Sequence, residues 1–214
     1  NALGNADACR ADTTRREPAA RYCVPWPHYD DYVARDLVAR VDSVYRTRAD
    51  RAHRAVAGLS MGGYGAVTLA LRYPDVYAAA ASHSGVLAPL FAGPRPFAAP
   101  ARWAPSVDSL RVLYRGYWTT LPLAMGRDTA GWWARDPGRL AARVRRERPR
   151  LVPALFADVG TADGLLEQNR AFRATAAALG VPLRYAEWPG GHTWAYWRAH
   201  VGEGLAWLAE QVGR

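Results

Sequence analysis

Residues 55–66 read A-V-A-G-L-S-M-G-G-Y-G-A. A short apolar run, Ala55-Val56-Ala57, leads into Gly58-Leu59-Ser60-Met61-Gly62. A helix-compatible segment follows from Gly63 to Arg72 and stops before Pro74. The pattern G-x-S-x-G between a strand and a helix is the nucleophile-elbow arrangement, and its chemistry explains the residue types. Ser60 has to sit on a strained turn for its hydroxyl to stand clear of the sheet. Glycines are expected at 58 and 62 because the backbone there passes too close to its neighbours for a Cβ. The helix starting at Met61 points free N–H groups and its positive dipole end at the place where an oxyanion would form. The pattern alone is weak evidence in a chain with 19 glycines, because serine is also a favoured helix N-cap. Its strand–turn–helix setting gives it weight.

With 214 residues, half of them apolar, the chain has the length and core content of one domain. No apolar run approaches the length of a membrane span, and the first residues do not read as a signal peptide. The formal charge of +9 comes from 28 basic residues that are all arginine. They are scattered, apart from Arg143, Arg145, Arg146, Arg148 and Arg150, which suit the solvated face of a helix ending at Pro149. No nucleic-acid partner is expected. Cys9 and Cys23 can bridge if the protein is extracytoplasmic, or stand as free thiols.

Residues 1–27 carry no strand or helix pattern and are expected to be irregular. Val33, Leu37, Val41 and Val44 recur at helical spacing and predict an amphipathic helix over 29–46. Strands are expected at 54–59 and 76–82, with the elbow helix over 61–73 between them. Residues 86–131 interleave six prolines with aromatic residues, too apolar for a linker and too broken for regular structure. They are expected to form an inserted lid or substrate-side loop, with a short helix near 107–114. Beyond it come a helix over 137–148 capped by Asp136, a strand over 151–158, and a helix over 165–179 closed by Gly180. A strand over 183–188 and a terminal helix marked by Trp197, Val201, Leu205, Leu208 and Val212 complete the chain. Strand alternating with helix predicts an α/β fold, a mostly parallel sheet with helices on both faces.

A serine nucleophile needs a base within reach and an acid to hold the base's tautomer. In such a sheet these groups come from loops at the carboxyl ends of strands. Two loops qualify, Gly160-Thr161-Ala162-Asp163-Gly164 and Pro189-Gly190-Gly191-His192-Thr193-Trp194. The chain order Ser60, Asp163, His192 is the α/β-hydrolase order. Two alternatives remain open here: Asp163 as a helix N-cap, and Asp158, at the expected strand end, as the acid. His28, His53, His83 and His200 fit less well, and neither histidines nor cysteines show metal-ligand spacing. Gly62-Gly63-Tyr64-Gly65 lacks the Lys-Ser/Thr of a P-loop. No metal and no cofactor are therefore expected. Trp188, Trp194, Tyr196 and Trp197 either line a pocket or pack in the core.

GLSMGGYGA, YPDVYAAAASHSG, GTADGLLEQNRAF and EWPGGHTWAYW, in that order, resemble the esterase D branch of the α/β-hydrolases. That branch includes S-formylglutathione hydrolases, feruloyl and acetylxylan esterases, enterochelin esterases and mycolyltransferases. The resemblance extends over YDDYVARDLVARVDSVYRT and WWARDP, and so over most of residues 28–208. It implies Ser60 as nucleophile, Asp163 as acid, His192 as base and the Met61 amide as one oxyanion donor. Trp194 and Tyr64 are expected to contact substrate. The implied reaction is hydrolysis of a small acyl or carbohydrate ester through an acyl-enzyme. Acyl transfer by the same triad, or a non-catalytic binding module, are the alternatives. Members of the branch carry roughly four further strands, and a second oxyanion donor, before the helix that here begins near Tyr29. This sequence is therefore expected to be an N-terminally truncated piece of an α/β-hydrolase domain. The aromatic loop and cysteine pair favour a secreted or periplasmic setting over a cytoplasmic one.

Overall fold

The computed structural model describes residues 29–92, 102–104, 106, 109, 125 and 129–213. Cys9, Cys23, the irregular 1–27 stretch and, apart from Ser109, the short helix expected near 107–114 lie outside them. The first element, α1, joins Tyr29–Asp31, a π-helical turn Tyr32–Asp36 and Leu37–Val44 into one helical run. β1 (Ala55–Leu59) leads through the elbow into α2 (Met61–Arg72), and β2 (Ala79–His83) follows. Then come β3 (Phe91–Ala92), β4 (Arg102–Trp103), α3 (Thr129–Trp133) and α4 (Pro137–Glu147). β5 (Ala154–Gly160), α5 (Leu166–Leu179), β6 (Leu183–Trp188) and α6 (Trp194–Val212) complete the described chain.

Four strands pair in parallel in the order β1-β2-β5-β6. Parallel pairing demands crossovers that cover the sheet with helices. Val67 and Leu71 of α2, Leu140 and Val144 of α4, and Phe172 and Ala176 of α5 meet Ala80, Leu155 and Ala157 on one face. On the other, Trp207 and Leu208 of α6 meet Ala79, Ala81 and Phe156. Gly180 closes α5 in the left-handed region at φ 63°, the position glycine was expected to fill.

Several boundaries and faces depart from expectation, each for a local reason. β2 begins at Ala79 because the amides of Val76 and Tyr77 bond back to Tyr73 O in a turn after α2. A 3₁₀ turn at Pro149–Leu151 delays β5, which then runs on to Gly160. Asp158 consequently lies inside the strand and not at its end. In α1 the π turn adds a residue and rotates the face. Ala34 is buried and Val38 packs on the core, while Leu37 and Val44 are exposed. On α6 the buried positions are Tyr196, Trp197, Gly204, Trp207 and Leu208, whereas Val201 and Leu205 face outward. Within 86–131 the described residues do include regular structure. β3 and β4 pair antiparallel, with the Phe91 and Trp103 rings 5.2 Å apart, edge to face.

Asp136 caps α4 as expected, accepting the Arg139 N–H at 3.0 Å, but its Oδ2 is buried without a partner. Burial pushes this carboxyl up to about 6, against the pull of the Arg139 and Gly138 amides and the Arg139 charge. The folded state then holds the proton more tightly than the unfolded chain, so stability falls as pH rises from about 4 to about 6. Asp136→Asn keeps the capping acceptor. It is expected to remove that slope and to gain about 2 kcal/mol over the parent at neutral pH. Denaturant unfolding on both sides of the window checks it.

Candidate active site

Ser60 sits between the end of β1 and the first residue of α2, at φ 54° and ψ −119°. A non-glycine residue in this region stores backbone strain. The turn is held by the Ser60 amide, which donates to His83 O at 2.8 Å, and by Ser60 O, which accepts from the Tyr64 amide at 3.1 Å. The two glycines flanking it are not equivalent. A Cβ on Gly58 would lie 2.2 Å from Gly62 O, whereas a Cβ on Gly62 would meet nothing within 4 Å. The close approach expected at both positions is therefore a demand on Gly58 alone. Met61 follows with an exposed side chain, its amide in the unbonded first turn of α2.

The other two loops are sewn together before they reach the serine. The Thr161 amide donates to Trp188 O and the Ala162 amide to Gly190 O, both at 2.8 Å. The contact is so close that a Cβ on Gly160 would lie 2.3 Å from Gly190 O. Thr193 caps α6 by accepting the Tyr196 amide at 3.3 Å, which places His192 just ahead of the helix. The result is one hydrogen-bonded series. Asp163 Oδ2 meets His192 Nδ1 at 2.9 Å, and His192 Nε2 meets Ser60 Oγ at 2.8 Å.

The Asp163 side chain is fully buried. Burial opposes its charge, but hydrogen bonds from His192 and from the Leu165 amide outweigh it and hold the carboxyl below the usual range. The Ser84 hydroxyl adds to this from close by, without a well-formed hydrogen bond. Asp163 is thus ionised at neutral pH, the state that fixes a proton on Nδ1 and leaves Nε2 free to accept. Its other oxygen does locally what a cap would do, accepting the Leu165 amide at 2.8 Å. The N-cap position of α5 itself is Leu165, so Asp163 holds the turn ahead of the helix with one oxygen and meets His192 with the other.

Asp158, the alternative acid, is not at this histidine. It faces His83 and accepts the Tyr196 hydroxyl at 2.9 Å, buried on the α6 side of the sheet. Of the aromatic residues near His192, Tyr196 and Trp197 are buried and Trp194 is 64% exposed. Trp197 still touches the site, its ring edge-on to His192 at 4.9 Å, and Trp194 stands edge-on to Trp197 at 5.2 Å. Tyr64 corrects an expectation. It is buried, and its hydroxyl donates to Arg135 O at 2.9 Å, tying α2 to the segment before α4 instead of facing substrate. Among the described residues no group of three or more His, Cys, Asp or Glu is arranged to hold a metal, and no helix is long and apolar enough to cross a membrane. Residues 1–28, which were expected to lack the loop of a second oxyanion donor, lie outside the described residues.

A family model described as "Putative esterase" matches residues 4–208. The chain belongs to this esterase family. The chain is 31% identical over 171 residues to an esterase of Mycobacterium tuberculosis, across 77% of this chain and 36% of that protein. It is 24% identical over 184 residues to the acetyl esterase of Caldicellulosiruptor saccharolyticus, across 86% of this chain and 64% of that one. An S-formylglutathione hydrolase from Agrobacterium tumefaciens shares its fold with a TM-score of 0.64 at 22% identity, covering 96% of this chain and 63% of the other. The fold is that of the α/β-hydrolases. The chain spans less than two thirds of the length of these curated relatives.

Proposed function

We propose that the protein hydrolyses a small acyl or acetyl- or feruloyl-carbohydrate ester through an acyl-enzyme on Ser60. The observation that carries this reading is the unbroken series from Asp163 through His192 to Ser60 Oγ, with both links under 3 Å. Ser60 Oγ attacks the ester carbonyl as its proton passes to His192 Nε2. The oxyanion that forms lies at the start of α2, where the Met61 amide donates to it. His192 then gives the proton to the departing alcohol. Water repeats the sequence on the acyl-enzyme, and the acid is released.

Trp194, exposed beside the base, is proposed as a substrate contact. The 86–131 segment, whose Trp103 ring lies 5.9 Å from Trp133, is proposed as a lid or substrate-side insertion. A fluorophosphonate probe tests the reading. It is expected to leave one covalent adduct, on the peptide containing Ser60, and to stop hydrolysis of p-nitrophenyl acetate in step with labelling. Turnover that survives full labelling, or an adduct elsewhere, rules the reading out.

A further inference from the structure

A second Asp–His pair lies beneath the first. His83 ends β2, Asp158 lies in β5, and the two are register partners on the sheet face covered by α6. Their side chains are 3% and 0% exposed, with His83 Nδ1 against Asp158 Oδ2. Asp158 Oδ1 accepts the Tyr196 hydroxyl at 2.9 Å. Burial, and then the Asp158 charge, push the Tyr196 phenol upward, so it stays a donor. None of these three side chains is used by the chemistry above.

Their backbone connections give them a part in it. At one end, His83 O accepts the Ser60 amide at 2.8 Å, and the Ser84 amide donates to Asp158 O at 2.7 Å. At the other, Tyr196 stands in the first turn of α6, four residues after His192. Its ring supports Gly190, where φ is 138° and a Cβ would lie 2.7 Å from Tyr196 Cδ2. The same helix closes on His83, since a Cβ on Gly204 would lie 2.7 Å from His83 Nε2. One buried series therefore runs from the loop that carries His192 to the turn that carries Ser60.

We propose that Tyr196, Asp158 and His83 are positioning residues that set the spacing between His192 and Ser60. The proposal rests on the reading of those two as base and nucleophile. The hydroxyl of Tyr196 matters because Asp158 and His83 occupy rigid strand positions beside the Ser60 turn, whereas the described backbone bonds of residues 189–193 run to Ala162, within the loop and to the start of α6, and not to that turn. Releasing the loop by a fraction of an ångström spoils the approach of Nε2 to Oγ while the substrate surface keeps its shape.

Tyr196→Phe removes one oxygen and keeps the ring against Gly190. It is expected to lower kcat by about 10–100-fold, with KM within about twofold of the parent. The downfield proton resonance of the His192–Asp163 hydrogen bond is expected to broaden or shift. Leu205→Ala, on the outward face of the same helix, changes neither. Asp158→Asn, which keeps an acceptor for the phenol, retains most turnover, and Asp158→Val does not. If Tyr196→Phe fails to accumulate as folded protein, the Asp158 pair carries the same comparison. An unchanged kcat in Tyr196→Phe, or equal turnover in the two Asp158 variants, overturns the positioning role while Ser60 still labels. Loss of labelling at Ser60 in the parent would instead remove the underlying reading.

Discussion

Replacement of Ser60 by alanine is expected to lower kcat toward p-nitrophenyl acetate by about 10⁴–10⁶-fold while the fold is kept. The Oγ atom is bonded to His192 Nε2 and supports nothing else in the turn. The turn itself is held by backbone bonds from the Ser60 amide to His83 and from the Tyr64 amide to Ser60 O, which alanine leaves in place. Its strained φ is unchanged by the substitution, so the thermal midpoint should stay close to that of the parent. A second replacement, of His192, should add little once the serine is gone, because groups that act as one unit are strongly non-additive. Steady-state rates with thermal unfolding of the same samples make the test. Turnover equal to the parent in folded Ser60→Ala protein would leave the family fold without this site.

The second large effect is structural. Gly58→Ala would bring a Cβ to 2.2 Å from Gly62 O and 2.3 Å from Gly62 C. Both are backbone atoms of the elbow, so no rotamer change relieves the clash, and β1 and α2 would have to separate. A loss of more than about 4 kcal/mol is expected, enough to prevent accumulation of folded protein in most domains. Gly62→Ala is the control. Its added Cβ meets open space, and inside a helix alanine is favoured over glycine by roughly 0.5–1 kcal/mol. Denaturant unfolding of the two variants should therefore move in opposite directions. Equal effects would mean that the elbow relaxes more freely than its packing suggests.

The sequence reading of the sheet succeeded where the signals are local. β6 was expected over 183–188 and spans Leu183–Trp188, and α4 begins at Pro137 after the Asp136 cap. Helix faces were harder. The π turn in α1 and the approach of Gly204 to His83 both depend on partners distant in the chain, so Leu37, Val44, Val201 and Leu205 looked like core and face outward. The β3–β4 pair was hidden by the prolines around it, since a two-residue ladder leaves no periodicity to read.

The amino-acid order alone carried the elbow, the parallel sheet and the sequence Ser60, Asp163, His192, because each rests on residue types set close together in the chain. It held Asp158 and Asp163 open as acids, treated Gly58 and Gly62 alike, and turned Tyr64 toward the substrate. Those choices belonged to the packing. Extending β5 to Gly160 buried Asp158 against His83, and the backbone bonds between residues 161–162 and 188–190 brought Asp163 to His192. Which of two like groups reaches a third is a matter of distances across the sheet, and only the folded chain has them.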